Sequence, residues 1–208
     1  EAGIRLAHKM GAEIIIMDDG FQNPSIKKDL SIIVIDGEVG FGNGHLIPAG
    51  PLREGINAGL SRANAVVIIG EDKKNLKSTI LEINSYRSQK PFQVLTSRLE
   101  PDVGSNSFGK KKVLAFTGIS RPEKFFNTLI KLGYDIVVKK SFPDHHQYTK
   151  KELANLHKTA QIENAQLITT SKDYVRLTMS QQKGISVLPV KIDWGNKVVL
   201  DSLLRSII

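Results

Sequence analysis

The sequence contains no cysteine, which excludes a disulfide framework and any thiolate metal site. Long hydrophobic runs are also missing. The interior apolar stretches fall far short of the roughly 18 residues a membrane-spanning helix requires, so none of them reads as a transmembrane segment. Aromatic residues make up only 6% of the chain, and none are interleaved with the lysine clusters Lys73-Lys74 and Lys110-Lys111-Lys112. That argues against a stacking platform for single-stranded nucleic acid and makes these clusters mainly solvated loop charge. No nucleic acid is therefore expected as a partner. Acidic residues are in deficit, 21 against 29 basic ones, for a net charge of +8 and a pI near 9.6. The balance favours anionic partners such as nucleotides, phospholipid head groups or nucleic acid, and by itself does not choose among them. An initiating methionine is absent too. Glu1 to Met10 reads as an amphipathic helix without a signal peptide's apolar stretch or cleavage site, and the expectation is an N-terminal truncation.

What is present is ordinary for a globular protein: 208 residues, 40% hydrophobic and 24% charged, enough to bury a core. Short apolar runs recur at Ile14–Ile16, Ile32–Ile35, Ala65–Ile69, Val113–Phe116, Ile136–Val138 and Leu167–Ile168. Each is too short for a stable helix and several are rich in β-branched residues, so buried strands are expected. Stretches with helical spacing lie between them, which implies an α/β fold with a largely parallel sheet covered on both faces. Ser120 with Glu123, and Thr149 with Glu152, have the spacing of capping boxes. The first helix would bury Phe125, Phe126, Leu129 and Ile130 and close at Gly133; the second would bury Leu153, Leu156 and Ala160. Residues 101–112 have a linker's composition, predicting one domain over 1–108 and a second α/β domain over 109–208.

Four places could carry chemistry. Ile14 to Gln22 reads as a buried strand delivering Asp18 and Asp19 to its C-terminal end, where open parallel sheets bind ligands. Such carboxylates suit Mg²⁺ beside a nucleotide, or else simply form a turn or cap. Gly40 to Glu54 is a long loop with four glycines and two prolines. Its backbone N–H groups could approach a phosphate, with Arg53 as a planar fork that Glu54 orients; the alternative is a flexible connection with a surface ion pair. Phe142-Pro143-Asp144-His145-His146 places imidazoles beside an acid, an arrangement fit for acid–base work or for an ordinary surface loop. Thr169 to Asp173 runs from a strand into a helix start. Its hydroxyls and Lys172 could meet a phosphate, or Ser171 or Asp173 could cap the helix.

Taken in order, Asp18-Asp19-Gly20-Phe21-Gln22, Gly40 to Glu54, Thr117-Gly118-Ile119 with Arg121 to Phe126, Phe142 to His145 and Thr169 to Asp173 closely resemble the tetraacyldisaccharide 4′-kinases. The resemblance spans most of the chain. It implies the remainder of a P-loop NTPase-like parallel-sheet core followed by a smaller α/β domain. It also implies transfer of a phosphoryl group from ATP, with Mg²⁺, to the 4′-hydroxyl of a tetraacylated glucosamine disaccharide 1-phosphate in lipid A biosynthesis. The implied partners are that lipid A precursor and the cytoplasmic face of the bacterial inner membrane, bound peripherally. The implied site has Asp18 and Asp19 at the metal, Gln22, Arg53 and Glu54 toward substrate, and His145 with Asp144 joining Asp18 in catalysis. In the family such a histidine supports an aspartate that belongs upstream of Glu1. No Gly-x-x-x-x-Gly-Lys followed by Ser or Thr occurs in these residues, so the chain alone is expected to be inactive. Asn23 stands where many members have His, and Ser171 where many have Glu. The competing expectations are a non-catalytic α/β module binding anionic glycolipid or nucleic acid, and another sugar or nucleotide kinase.

Overall fold

A computed structural model describes residues 1–86, 91–102 and 111–207. The chain divides into two compact units, one formed by Glu1–Leu99 with Ile192–Ile208 and the other by Glu100–Lys191. The expected boundary at 108/109 thus differs from the observed division. The C-terminal segment, expected in the second domain, returns to the first unit, and most of the expected linker lies outside the described residues.

In the first unit, helix α1 (Ala2–Lys9) precedes strand β1 (Ile32–Asp36), helix α2 (Ile56–Ser61), strand β2 (Ala65–Ile69), helix α3 (Leu76–Ser85) and strand β3 (Gln93–Pro101). β1 pairs with β2, and β2 with β3, in parallel. Residue alternation along β2 explains the layering. Val66 and Ile68 face Leu60, Leu76 and Ile80 on one side, while Ala65 and Val67 face the other with Leu95. That second side is covered from the C-terminus.

In the second unit, strand β4 (Lys112–Thr117), helix α4 (Pro122–Lys131), strand β5 (Asp135–Ser141), helix α5 (Lys150–Ile162), strand β6 (Gln166–Thr170), the single turn α6 (Ser171–Tyr174) and strand β7 (Ile185–Leu188) form a sheet of order β5-β4-β6-β7. All its pairings are parallel. Leu114 and Phe116 pack on α5, whereas Val113 and Ala115 pack on Phe125, Phe126 and Leu129 of α4. The chain then passes through strand β8 (Val190–Trp194), which lies beside β3 in the first unit's sheet, into helix α7 (Lys197–Arg205). Val199, Leu200 and Leu203 of α7, with Trp194, cover the face of Ala65, Val67 and Leu95.

Five of the six expected strands form. The exception is Ile14–Ile16, which forms no strand and whose residues are 60%, 41% and 91% exposed. The reason is the backbone's need for a partner. A parallel strand exists only where a neighbour accepts its hydrogen bonds, and among the described residues none pairs with this segment.

The Thr149–Glu152 capping box forms, with both reciprocal hydrogen bonds. The one expected at Ser120 does not. Pro122 occupies the first helical position, so α4 starts after Arg121 and Ser120 lies outside it. Gly133 closes α4 at φ +84°, donating to Ile130 O while Tyr134 N donates to Leu129 O, the paired bonds of a Schellman ending. Ile130, expected in the core, is 51% exposed.

Candidate active site

In the first unit, Asp18 and Asp19 lie in a turn and both are exposed. They do not end a buried strand, because the strand that would carry them is not paired. Asp19, in the left-handed region at φ 52°, accepts three hydrogen bonds at 3.0–3.1 Å from both terminal nitrogens of Arg53. This is the bidentate geometry that a planar guanidinium allows and an ammonium does not.

Glu54 does not orient Arg53, contrary to expectation. It accepts from Arg62 through both carboxylate oxygens, at 2.7 and 2.6 Å, and from Gln22 Nε2 at 3.0 Å. The Arg62 hydrogen bonds first, and the Gln22 one second, hold the Glu54 carboxyl down at about 2. Arg62 also lies over the Phe21 ring, 5.0 Å from its centroid. The structure thus brings Asp19, Gln22, Arg53 and Glu54 into two linked clusters and adds Arg62, which sequence reasoning missed. Its one advance signal is its position eight residues beyond Glu54, across the short α2.

The loop between these residues is folded rather than slack. Asn43 bridges Ala49 O and His45 N, and Leu46 and Leu52 form an isolated bridge. A Cβ on Gly50 would collide with Asn43 Oδ1 and His45 O. The expectation of phosphate-binding glycines is not met: the N–H groups of Gly40, Gly42, Gly44 and Gly50 all bond to carbonyls of the same region, Asp36, Val39, Phe41 and Leu46.

In the second unit, β4, β5 and β6 all deliver their next residues to the carboxyl edge of the sheet, the edge where parallel sheets place ligand-binding groups. Thr117 and Gly118 follow from β4, Phe142 to His146 from β5, and Thr170 to Arg176 from β6. At their centre is Asp173, fully buried. Its carboxylate accepts from Thr117 Oγ1 at 2.7 Å, Thr170 Oγ1 at 2.7 Å, Tyr148 OH at 2.9 Å and Gly118 N at 3.0 Å. Burial, and then the Asp173 charge, push the Tyr148 phenol well above its ordinary range, so it stays a donor. Two of the hydroxyls expected to meet a phosphate are therefore consumed internally, Thr169 by Phe116 O and Thr170 as the cap of α6.

The two adjacent histidines have different surroundings. His146 stacks on Phe142 at 4.7 Å and its Nε2 lies 3.1–3.2 Å from both Glu152 oxygens, tying the loop to the α5 cap. His145 is 80% exposed by side chain, sits at φ +60° and donates its backbone N–H to Gly118 O and Asp144 Oδ1. Its Nδ1 is 3.0 Å from Arg176 Nη2, while Asp144 Oδ2 is 4.0 Å from Nε2, beyond hydrogen-bond reach. The imidazole's close partner is thus an arginine rather than the adjacent Asp144 carboxylate.

Two units built on parallel strands, one of which gathers a buried carboxylate network and an exposed histidine at the carboxyl edge of its sheet, define an α/β protein of the parallel-sheet class. Within that class the chain belongs to the Tetraacyldisaccharide-1-P 4′-kinase family, whose model matches residues 1–208. Among its relatives, the tetraacyldisaccharide 4′-kinase of Rhodospirillum centenum is 46% identical over all of this chain and 59% of its own length. Those of Paramagnetospirillum magneticum and Rhodospirillum rubrum are 44% and 42% identical, each matched over 61% of its length. The chain therefore spans about 60% of the length of these relatives. The crystal structure of LpxK from Aquifex aeolicus in complex with ATP shares the fold, with a TM-score of 0.66 at 24% identity, over 99% of this chain and 61% of that one.

Proposed function

We propose that this chain carries the acidic and histidine-bearing part of a kinase that transfers a phosphoryl group from ATP to the 4′-hydroxyl of a tetraacylated glucosamine disaccharide 1-phosphate, in lipid A biosynthesis. One observation carries the reading: side chains 34 and 32 positions apart interlock, Arg53 with Asp19 and Glu54 with Gln22. The loop that carries Arg53 and Glu54 is itself folded around Asn43, which a slack connection would not be. In this reading Gln22, Arg53 and Glu54 serve the substrate side, and His145, with Asp144 and Asp18, serves the reaction.

Asp18 and Asp19 supply adjacent hard oxygen donors fit for Mg²⁺, which is commonly held by one or two carboxylates with waters and substrate phosphates completing its shell. No group of three or more candidate ligands gathers among the described residues, so a two-carboxylate contribution is what this chain offers. Arg53 keeps Asp19 pre-positioned, since the three hydrogen bonds fix the carboxylate plane. Bound Mg²⁺ would neutralise charge on the nucleotide phosphates. The net charge of +8 supports peripheral docking on anionic head groups at the cytoplasmic face of the inner membrane.

The test is a fusion that places the preceding segment of the Rhodospirillum centenum relative before Glu1, assayed for transfer from labelled ATP to the tetraacylated disaccharide. Mg²⁺-dependent transfer that falls sharply in Asp18→Ala is expected. A fusion that binds the disaccharide yet transfers nothing, while the intact relative is active beside it, would favour the non-catalytic glycolipid-binding module instead.

A further inference from the structure

We propose that Arg176 is a positioning residue that fixes the orientation and tautomer of the His145 imidazole, itself braced by the buried Asp173. The inference rests on the reading of His145 as a site residue for its functional meaning, and on geometry alone for its content. A guanidinium has only donors. With Arg176 Nη2 at 3.0 Å, Nδ1 of His145 must be the acceptor, which leaves the ring's proton on Nε2. His145 then offers an N–H to an anionic oxygen, a carboxylate or a phosphoryl oxygen, and has no free nitrogen with which to take a proton. It acts as a donor, not as a general base.

The brace behind Arg176 is unusually well determined for an exposed histidine. Arg176 Nη1 donates to Gly118 O at 3.3 Å and lies 3.5 Å from Asp173 Oδ1, with the arginine side chain only 19% exposed. Gly118 O also accepts the His145 backbone N–H at 3.1 Å. Ring and backbone of His145 are thus tied to one point, which Asp173 fixes through Thr117, Gly118, Thr170 and Tyr148. The left-handed backbone of His145, at φ +60°, is costly for a non-glycine residue and persists where the surroundings over-determine it.

The experiment is long-range ¹H–¹⁵N correlation of the imidazole rings in the ¹⁵N-labelled chain, in wild type, Arg176→Met and Arg176→Lys, with a thermal melt of each. In wild type the His145 pattern is a single tautomer with protonated Nε2 and bare Nδ1. Arg176→Met loses that pattern, giving a tautomer mixture for His145 while His8, His45, His146 and His157 are unmoved. Arg176→Lys, which retains a donor, recovers it in part, and serves as the test if the methionine variant does not fold. A wild-type His145 protonated on Nδ1, or a ring pattern unaltered by either substitution, overturns the inference. In the active fusion, Arg176→Met lowers kcat by about 10²-fold with KM for ATP held, the scale of a misplaced reacting group; wild-type kcat there also overturns it. An inactive wild-type fusion with the expected ring spectra defeats the kinase reading and leaves the Arg176–His145 geometry standing.

Discussion

At the scale of single residues, the two histidines show how neighbours with the same chemistry are assigned different work by their surroundings. His146 is packed and hydrogen-bonded to Glu152, so His146→Ala should lower stability by about 1–2 kcal/mol, from one charge-assisted hydrogen bond and a ring stack lost together. His145→Gly should cost less than that and come out near neutral, because relief of the left-handed backbone, worth about 1 kcal/mol, offsets the hydrogen bond that Arg176 loses. Urea unfolding of both variants reads the difference, and a loss at His145→Gly as large as that at His146→Ala would refute the division of roles. Glu54 and Glu152 carry a pH prediction. Both are held at about 2, below the ordinary 4.5, Glu54 by Arg62 and Gln22 and Glu152 by the Thr149 backbone and hydroxyl and then His146. Folded-state values that are depressed give stability that is complete above 4.5 and lost as pH falls toward 2. The melting temperature should therefore drop through that window, and drop less steeply in the Glu54→Gln, Glu152→Gln double variant. Parallel acid profiles for the two proteins would remove these carboxylates from the account.

At the scale of elements, periodicity and end signals worked where the element's stability is local or where its burial is two-sided. The apolar runs that became β1, β2, β4, β5 and β6 were visible as unbroken hydrophobic segments, and the Thr149–Glu152 box and Gly133 marked helix ends correctly. β8 escaped notice because its apolar residues alternate with polar ones, as in Val190-Lys191-Ile192-Asp193-Trp194, and β3 because Val94 and Leu95 are a short apolar pair flanked by Gln93, Thr96 and Ser97. Ile14–Ile16 was misread for the opposite reason: hydrophobicity announces a wish for burial, not the existence of a partner strand. Helix α7 lends itself to a direct trial. Its Val199, Leu200 and Leu203 cover the face made by Ala65, Val67 and Leu95. Deleting residues 197–208 should unfold the first unit while the second, whose cores contain no residue from α7, keeps its amide protection. Hydrogen exchange read by mass spectrometry distinguishes this from uniform loss or no loss, either of which would contradict the packing.

At the scale of the molecule, the described residues supply acidic and histidine-bearing loops in both units. The sequence holds no Gly-x-x-x-x-Gly-Lys followed by Ser or Thr, and the glycine N–H groups of the 40–50 loop are already bonded. What remains to attract ATP is surface lysine charge, which physiological salt screens within about 8 Å. These 208 residues by themselves should therefore bind Mg²⁺-ATP weakly by calorimetry at that ionic strength. Micromolar affinity would show a phosphate site elsewhere on the chain. The motif order and the charge balance were legible from residue types alone, as was the alternation of strands with helices, because each is a local property of the chain. The pairing of Arg53 with Asp19 rather than Glu54, the entry of Arg62 and Arg176, the consumption of Thr170 by Asp173 and the return of the C-terminus to the first sheet were decided only by tertiary structure. A side chain's type limits which bonds it can make, but its actual partner depends on which distant backbone arrives within 3 Å, and that is set by how the sheets assemble.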